Sequence, residues 1–444
     1  MDGKVPGIRL SSFQIIIAGF LAVILIGAVL LTLPVSAADG CRTPVPDALF
    51  TATSAVCVTG LVVLDTATHW SFFGQAVVLV LIQIGGLGIV TVAAGIAAAS
   101  RKKVSLLQQS MLQESISANQ VGGILRLTLF VCAFTMIAEL AGALALLPSF
   151  CGAFGREGVW MSVFHAVSAF CNAGFDVMGG KAGAYSSLTA FSGSPGVVIP
   201  VCLLIFLGGI GFLTWDDFAR NTLHLKRYSM QSKVILSTAA VLNLVPAAVF
   251  FFGDFAALPR GERFWVSLFQ AVTPRTAGFN TVDMSRCTST GRAVTIILML
   301  IGGSPGSTAG GMKLTTAAVL LSNAAAVVRR RKSPVLFGRR IDEGTVKSAA
   351  ALLTLYLFLA LAGAFIISAA EGLPFAVCLF ETASAIGTVG LSLGVTPGLG
   401  PVSRAVLMGL MFFGRVGALT LFYAAVGGRA PESAHYPVGK INVG

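Results

Sequence analysis

Four short apolar segments of the chain end at a glycine, and each carries the same polar frame. In each segment a phenylalanine is followed four residues later by serine or threonine, and a glycine follows six residues after that, or five in the third segment. Glycine takes backbone angles that let main-chain carbonyls point inward, and a ring of carbonyls can replace the hydration shell of a bare cation. The glycines are Gly60, Gly174, Gly278 and Gly390. Their spacing predicts one ion-coordinating site built from four loops.

The predicted ion-binding residues are the last three of each segment. Each preceding short helix would point its partly negative C-terminal end at a common axis, which favours a cation. Close helix packing is the alternative explanation for glycine in a membrane protein, but the shared phenylalanine and hydroxyl frame argues against packing alone. The predicted filter residues are Val58, Thr59, Gly60, Asn172, Ala173, Gly174, Thr276, Ala277, Gly278, Thr388, Val389 and Gly390.

A second candidate site is the segment 302–313, where five glycines and a proline interrupt an apolar stretch. Such a segment cannot hold a regular helix cheaply, and non-helical backbone at membrane depth must line water or be buried in protein. We expect a flexible loop below the four glycines that blocks or opens the path; a static kink is the simpler alternative. The gate candidates are Gly303, Ser304, Pro305, Gly306, Ser307, Thr308, Ala309, Gly310, Gly311, Lys313 and Arg415.

Arg415 belongs to this group because an arginine inside an apolar span is costly and commonly functional. It stands where the first two repeats have Gly86 and Gly209. We expect it either to face the pore as a barrier to cations or to contact the loop at 303–313, unless it pairs with a carboxylate for structure alone.

Other polar residues in apolar segments carry weaker expectations. Glu139 is expected to pair with a basic residue, and Arg275 to brace the third loop through Asp283 or Glu381. The four histidines form no cluster, so no transition-metal site is predicted. A disulfide could form among the cysteines of the predicted outer loops, which are Cys41, Cys151 and Cys287.

These sites need helices that cross a membrane. Of the 444 residues, 55% are hydrophobic and only 11% are charged, against about 25% charged in ordinary soluble domains. This composition excludes a soluble enzyme of this size and a disordered chain. A span needs about 20 apolar residues, and eight spans are predicted at 13–35, 74–99, 124–147, 196–215, 233–252, 292–328, 346–369 and 402–427. The first is too long for a signal-peptide core of about 7–15 residues.

The basic residues predict the orientation of these spans. The net charge is +12, and 17 of the 30 lysines and arginines precede the first span or lie in every second connection after it. The positive-inside rule then predicts a multi-pass protein of the cytoplasmic (inner) membrane, with both termini cytoplasmic and the filter loops outside. Because aromatic residues do not alternate with these basic residues, nucleic acid is not an expected partner.

The recurring order of span, short helix, glycine loop and span divides the chain into four repeats. They are predicted at 1–100, 101–220, 221–330 and 331–444; the third contains the interrupted inner helix with its loop at 302–313, and the fourth a C-terminal tail. The predicted fold is an all-α polytopic membrane protein. Its four pseudo-symmetric repeats of helix, pore loop and helix surround a central ion pore, as in potassium channels.

Three motifs, at 168–176, 273–281 and 303–313, resemble those of the Trk/Ktr/HKT superfamily of potassium transporters. With eight predicted spans, the chain is most similar to the Ktr-type membrane subunit. The resemblance implies potassium uptake through a four-glycine selectivity filter with an intramembrane gating loop, in a homodimer with one pore per protomer.

The resemblance also implies a regulatory partner. A cytoplasmic ring of RCK/KTN-type subunits, KtrA- or TrkA-like, would bind the nucleotide, so no cofactor is expected in this chain beyond the transported K+, or Na+. The basic cytoplasmic loops, especially 329–340, are the candidate docking surface.

Two alternatives stay open. A sodium-permeable or sodium-coupled transporter of the same superfamily is the first alternative, although glycine in all four loops resembles the potassium-selective members. A polytopic membrane enzyme is disfavoured, because no paired carboxylates, histidine cluster or nucleophile–base pattern converge on one face. The sequence does not decide whether transport is passive or coupled to Na+ or H+.

Overall fold

The structure, a computed structural model, describes residues 11–99, 124–222 and 224–417. Within them the chain is almost entirely helical, which confirms the predicted all-α class. The helices of ten or more residues are α1 (Ser12–Leu31), α2 (Val45–Val56), α3 (Phe72–Leu87), α4 (Ile89–Ala99), α5 (Ile124–Phe154), α6 (Glu157–Phe170), α7 (Pro195–Gly209), α8 (Phe212–Asn221), α9 (Met230–Phe252), α10 (Arg260–Val272), α11 (Ser289–Leu300), α12 (Leu314–Val328), α13 (Glu343–Glu371), α14 (Phe375–Ile386) and α15 (Pro401–Val416).

These helices recur in one order. Each unit has a long outer helix (α1, α5, α9 or α13), a shorter pore helix (α2, α6, α10 or α14) and an inner helix that starts at α3, α7, α11 or α15. The remaining regular structure is small. Among the described residues it comprises five three-residue 3-10 helices, four-residue helical turns at Thr66–His69 and Gly179–Ala182, and an antiparallel pair of strands, Val335–Leu336 and Arg339–Arg340, between α12 and α13.

The four outer helices are each long and apolar enough to cross a membrane. Counting the bent pairs α3–α4 and α7–α8 as one span each gives six. The remaining predicted spans are 292–328, which is interrupted between α11 and α12, and 402–427, which continues past the described residues at 417.

Two inner helices bend sharply where the sequence predicted continuous spans. The pair α3–α4 turns by 97° and the pair α7–α8 by 99°. At each bend a glycine takes a positive φ, 84° at Gly88 and 91° at Gly211, which residues with a Cβ rarely adopt. The continuous apolar pattern predicts the spans at 74–99 and 196–215 but gives no sign of the bend within each.

The outer helices and the pore helices differ in how much of their apolar surface is buried. The outer helices present large exposed apolar side chains, such as Ile26, Leu140 and Phe358, which suit contact with lipid tails rather than water. The pore helices are enclosed by the other elements, and the phenylalanine of each polar frame is fully buried. These are Phe50, Phe164, Phe269 and Phe380. The fold therefore places the four pore helices at the centre and holds them there.

Candidate ion pathway

Each pore helix ends beside its filter loop, and the hydroxyl of the polar frame holds that loop in place. In the first and fourth repeats, Ser54 and Ser384 accept hydrogen bonds from the filter glycine amides at 3.1 and 3.0 Å. In the second and third, Ser168 and Thr273 donate to the carbonyl after the glycine, both at 2.7 Å. The frame that identified the loops in the sequence is therefore their brace.

The four filter loops share an unusual backbone. The residue two positions before each glycine has a left-handed φ, which for a β-branched residue is a genuine outlier. Such strain, about 1–3 kcal/mol per residue, persists only where the surroundings impose it. Alternating positive and negative φ turns successive carbonyls to one side of the chain. The values are 55° at Val58, 57° at Asn172, 68° at Thr276 and 50° at Thr388, followed by 88°, 68°, 78° and 93° at the glycines.

The four filter glycines close into a ring. Each glycine faces the carbonyl that precedes another filter glycine, so closely that a side chain would clash with it. In order, Gly60 faces Ala173, Gly174 faces Ala277, Gly278 faces Val389, and Gly390 faces Thr59. Loops that lie 330 residues apart in the sequence, at Gly60 and Gly390, are thus neighbours.

Three buried side-chain oxygens at one shared position of the filter loops have no hydrogen-bond partner among the described residues. They are Asn172 Oδ1, Thr276 Oγ1 and Thr388 Oγ1. Each belongs to the residue two positions before the filter glycine; the first repeat has Val58 there. An unsatisfied buried oxygen costs about 1–3 kcal/mol, and such oxygens suit a cation that has shed its water.

A cavity of about 640 Å³ opens on the other side of the ring and is lined by all four filter glycines. Asp176 and Asp283 line it as well. Burial raises the pKa of the Asp176 carboxyl to about 7, against the effect of the Met178 amide and with the help of nearby Asp65. Motif spacing had not singled out Asp176 as a site residue, although it lies two residues after the second filter glycine.

The loop between α11 and α12 passes directly beneath the second filter. The Thr308 hydroxyl donates to the carbonyl of Phe170 at 3.0 Å and accepts from the Asn172 amide at 3.2 Å. The amides of Ser304 and Thr308 donate to the last carbonyls around α7, at Gly209 and Gly208. This loop is mostly buried, and the second repeat supplies hydrogen-bond partners for Ser304 and Thr308.

The fourth repeat holds the loop from the other side. The Gly311 amide donates to Gly414 at 3.1 Å, and Gly310 packs against the Thr388 side chain. The guanidinium of Arg415 donates to the carbonyl of Thr308 and to two carbonyls at the end of α3. Of the placements expected for Arg415, the structure shows the contact with the loop.

A second cavity, of about 300 Å³, lies on the far side of the loop. Its lining includes Ser307, Ala309, Lys313 and Arg415. The Lys313 ammonium donates to Ala309 within the same loop at 2.8 Å. Among the described residues none lines both cavities, so the filter and the loop stand between them.

One glycine in each of three inner helices allows that helix to pack closely against a pore helix. Gly85, Gly208 and Gly414 each lie so close to a carbonyl at the end of their own pore helix that a Cβ would overlap it. These three positions therefore need glycine for close packing. This packing draws the inner helix against the base of the filter.

Two expected ion pairs are wrong. Arg275 donates to the Asn243 side chain at 3.0 Å, an amide of α9 rather than the expected carboxylate. Glu139 accepts from Gln83 at 3.2 Å and lies near the Cys171 thiol, with no basic partner among the described residues. Asn243 and Gln83 are uncharged, so no pattern in the sequence identifies them as partners of Arg275 and Glu139.

The outer-loop cysteines form no disulfide. Cys41, Cys151 and Cys287 are all free thiols in the structure, as are the other five cysteines of the chain.

A ring of carbonyls from four loops, with a cavity on either side, is an arrangement suited to cations in a membrane protein. The comparisons agree. The family model described as TrkH, a cation transport protein, matches residues 8–237 and 229–428. The chain belongs to this family of cation transport proteins.

Several characterised relatives match along nearly their whole length. The chain is 38% identical to the potassium/sodium uptake protein NtpJ of Enterococcus hirae, with 98% of both chains covered. It is 37% identical to the Ktr system potassium uptake protein B of Bacillus subtilis, covering 100% of this chain and 99% of that one. The potassium transporter TrkH of Vibrio parahaemolyticus has the same fold, with a TM-score of 0.73 at 20% identity, covering 94% and 85%.

Proposed function

We propose that the chain is the ion-translocating subunit of a potassium uptake system. The observation that carries the proposal is the closed ring of Gly60, Gly174, Gly278 and Gly390, which supplies carbonyls from four sides. The unpartnered oxygens of Asn172, Thr276 and Thr388 add ligands in the same loops. Potassium is proposed because relatives covering the whole chain are described as potassium uptake proteins. Those descriptions are of transporters, so no enzymatic activity is proposed.

The orientation follows from the charges. The filter and the 640 Å³ cavity face outward, and the basic connections and both termini face the cytoplasm. Potassium enters the outer cavity, sheds water at the glycine ring and meets the loop at 303–313 before it reaches the inner cavity. The loop is the gate, and Arg415 holds it closed through the Thr308 carbonyl.

The proposed assembly is a homodimer with one pore in each protomer, regulated by a cytoplasmic ring of RCK/KTN-type subunits that bind a nucleotide. The segment 329–340 is the proposed docking surface because it carries six basic residues at the junction of α12 and α13. Its strand pair presents Arg339 and Arg340 to solvent.

A second candidate function is transport that also admits or requires sodium. Two observations favour it: Val58 has no side-chain oxygen where the other three loops have Asn172, Thr276 and Thr388, and the relative from Enterococcus hirae is described as a potassium/sodium uptake protein.

One experiment separates the two candidates. The purified chain is reconstituted in liposomes, and the fluxes of K+, Rb+ and Na+ are compared at equal gradients. Potassium selectivity predicts similar K+ and Rb+ fluxes with Na+ far slower. Equal Na+ and K+ fluxes would refute the selective filter, and K+ flux that stops without Na+ would show coupling.

A further inference from the structure

A fully buried carboxyl group of the fourth pore helix holds the outer loop of the fourth filter. Glu381 lies on α14 and has no exposed surface. It accepts hydrogen bonds from the Ser392 hydroxyl at 2.9 Å, the Leu393 amide at 2.8 Å and the Thr396 hydroxyl at 2.6 Å. All three donors lie just after Gly390 and line the outer cavity.

The same helix also holds the filter glycine of this repeat. One turn after Glu381, Ser384 accepts the hydrogen bond from the Gly390 amide at 3.0 Å. The far end of the outer loop is fixed independently, because Arg404 donates to the Pro397 carbonyl at 3.0 Å and pairs with Asp47 at 2.5 Å. The segment 391–397 is therefore held at both ends.

The other repeats lack this brace. The residue after the frame phenylalanine is Thr51, His165 or Gln270 in the first three repeats. Thr51 and His165 bond to carbonyls of their own pore helices, and Gln270 reaches only the sulfur of Met284. A carboxyl group with three donors from the loop occurs at this position in the fourth repeat alone.

From these contacts we infer that Glu381 is a positioning residue for ion selectivity, which fixes the fourth quarter of the filter by hydrogen bonds to the loop above it. The inference rests on the proposed function, since it assumes that the glycine ring is the selective site. A buried donor left without its acceptor must find a new partner, and the loop must move to provide one. Movement of the loop then alters the carbonyls of Val389 and Gly390.

The test compares two substitutions that leave different hydrogen-bonding capacity at this position. Glu381→Gln keeps the length and one acceptor oxygen, whereas Glu381→Leu keeps the bulk and removes every acceptor. The expected K+/Na+ flux ratio in liposomes falls about tenfold in Glu381→Leu, which corresponds to about 1.4 kcal/mol, and Glu381→Gln restores most of it. The rise in Tm that K+ produces over Na+ in the purified protein should fall in parallel.

Glu371 supplies the matched control. It is a carboxylate of the same repeat that accepts from Gly400 at 2.8 Å and from Ser403 at the start of α15, and not from the filter loop. Glu371→Leu should keep the wild-type flux ratio. Should Glu381→Leu fail to fold, Thr396→Val removes one donor from the other side and is expected to lower the ratio by a smaller factor.

The outcomes are distinct. A wild-type flux ratio and K+-dependent Tm in both Glu381→Leu and Thr396→Val would overturn the inference. Loss of selectivity in Glu381→Gln equal to that in Glu381→Leu would also overturn it, because charge rather than hydrogen bonding would then be responsible. If wild type and Glu371→Leu themselves show no preference for K+, the proposed potassium function fails instead.

Discussion

The guanidinium of Arg415 donates a hydrogen bond to the main-chain carbonyl of Thr308, at the centre of the loop beneath the filter. The same side chain reaches Gly86 at 2.8 Å, at the end of the inner helix of the first repeat. One arginine from the fourth repeat thus joins the interrupted helix of the third to the bent helix of the first. A loop that must move to admit an ion has to break this contact.

Replacing this arginine should weaken the closed state. Arg415→Ala removes hydrogen bonds from a charged donor, each worth about 1.5–3 kcal/mol, so we expect cation flux into liposomes to rise about two- to tenfold with the K+/Na+ ratio unchanged. Arg415→Lys, which keeps the charge but not the forked geometry, should be intermediate. A sharp loss of K+/Na+ discrimination at normal flux would contradict this role.

Removing the loop should leave a folded and more open protein. The two ends of the loop already meet, because the Gly302 amide donates to Met312 at 2.7 Å and the Leu314 amide to Gly303 at 3.0 Å. Deletion of 305–311 therefore shortens the chain between neighbouring points. We expect the same gel-filtration profile as wild type and a severalfold higher K+ flux in liposomes; an unchanged flux would show that the loop is no barrier.

The glycine ring predicts a selectivity defect from one added side chain. At Gly174 the φ is 68°, and a Cβ would lie 2.8 Å from the Ala277 carbonyl. Gly174→Ser should therefore displace the third loop and lower the K+/Na+ flux ratio by about tenfold, or about 1.4 kcal/mol. Gly180→Ala, at a site with nothing within 4 Å of a new Cβ, is the matched control and should behave as wild type.

Uptake should depend on external pH through Asp176. Because its pKa is raised to about 7, the carboxyl is charged above that pH and neutral below it, and a negative charge in the outer cavity concentrates cations. We expect K+ flux to rise about two- to fivefold between external pH 6 and 8, and Asp176→Asn to remove this dependence.

The stability of the folded protein should change with pH in the opposite direction to the flux. A carboxyl whose pKa is raised on folding contributes stability that is fully present below its ordinary pKa and is lost as the pH rises through about 7, because the folded state binds the proton more tightly. Wild type should therefore lose stability relative to Asp176→Asn as the pH rises from about 4 to about 7, measured as Tm in detergent. Equal pH profiles for the two proteins would contradict the assignment.

The sequence predicted the helical class and the positions of the four loops, because a repeated frame of phenylalanine, hydroxyl and glycine is a local signal. It did not predict the bends at Gly88 and Gly211, because the apolar pattern runs through them unbroken. The partners of Arg275 and Glu139 were missed for another reason. Asn243 and Gln83 are uncharged and distant in the chain, and charge matching cannot find them.

The hydrogen bonds between Glu381 and the loop after Gly390 were not predicted either. Glu381 follows Phe380 directly, but nothing in the spacing shows that its acceptor atoms meet a loop 11–15 residues later. That the side-chain oxygens of Thr276 and Thr388 have no hydrogen-bond partner can be seen only in the assembled fold.

All four quarters of the glycine ring come from a single polypeptide. In a pore made of four identical chains, one altered codon changes every quarter at once. Here a substitution at Gly60 alters the sequence of one quarter only. The ion preference of such a ring can therefore be adjusted in single steps, one ligand at a time, and its quarters are free to differ from one another, as Val58 already differs from Asn172, Thr276 and Thr388.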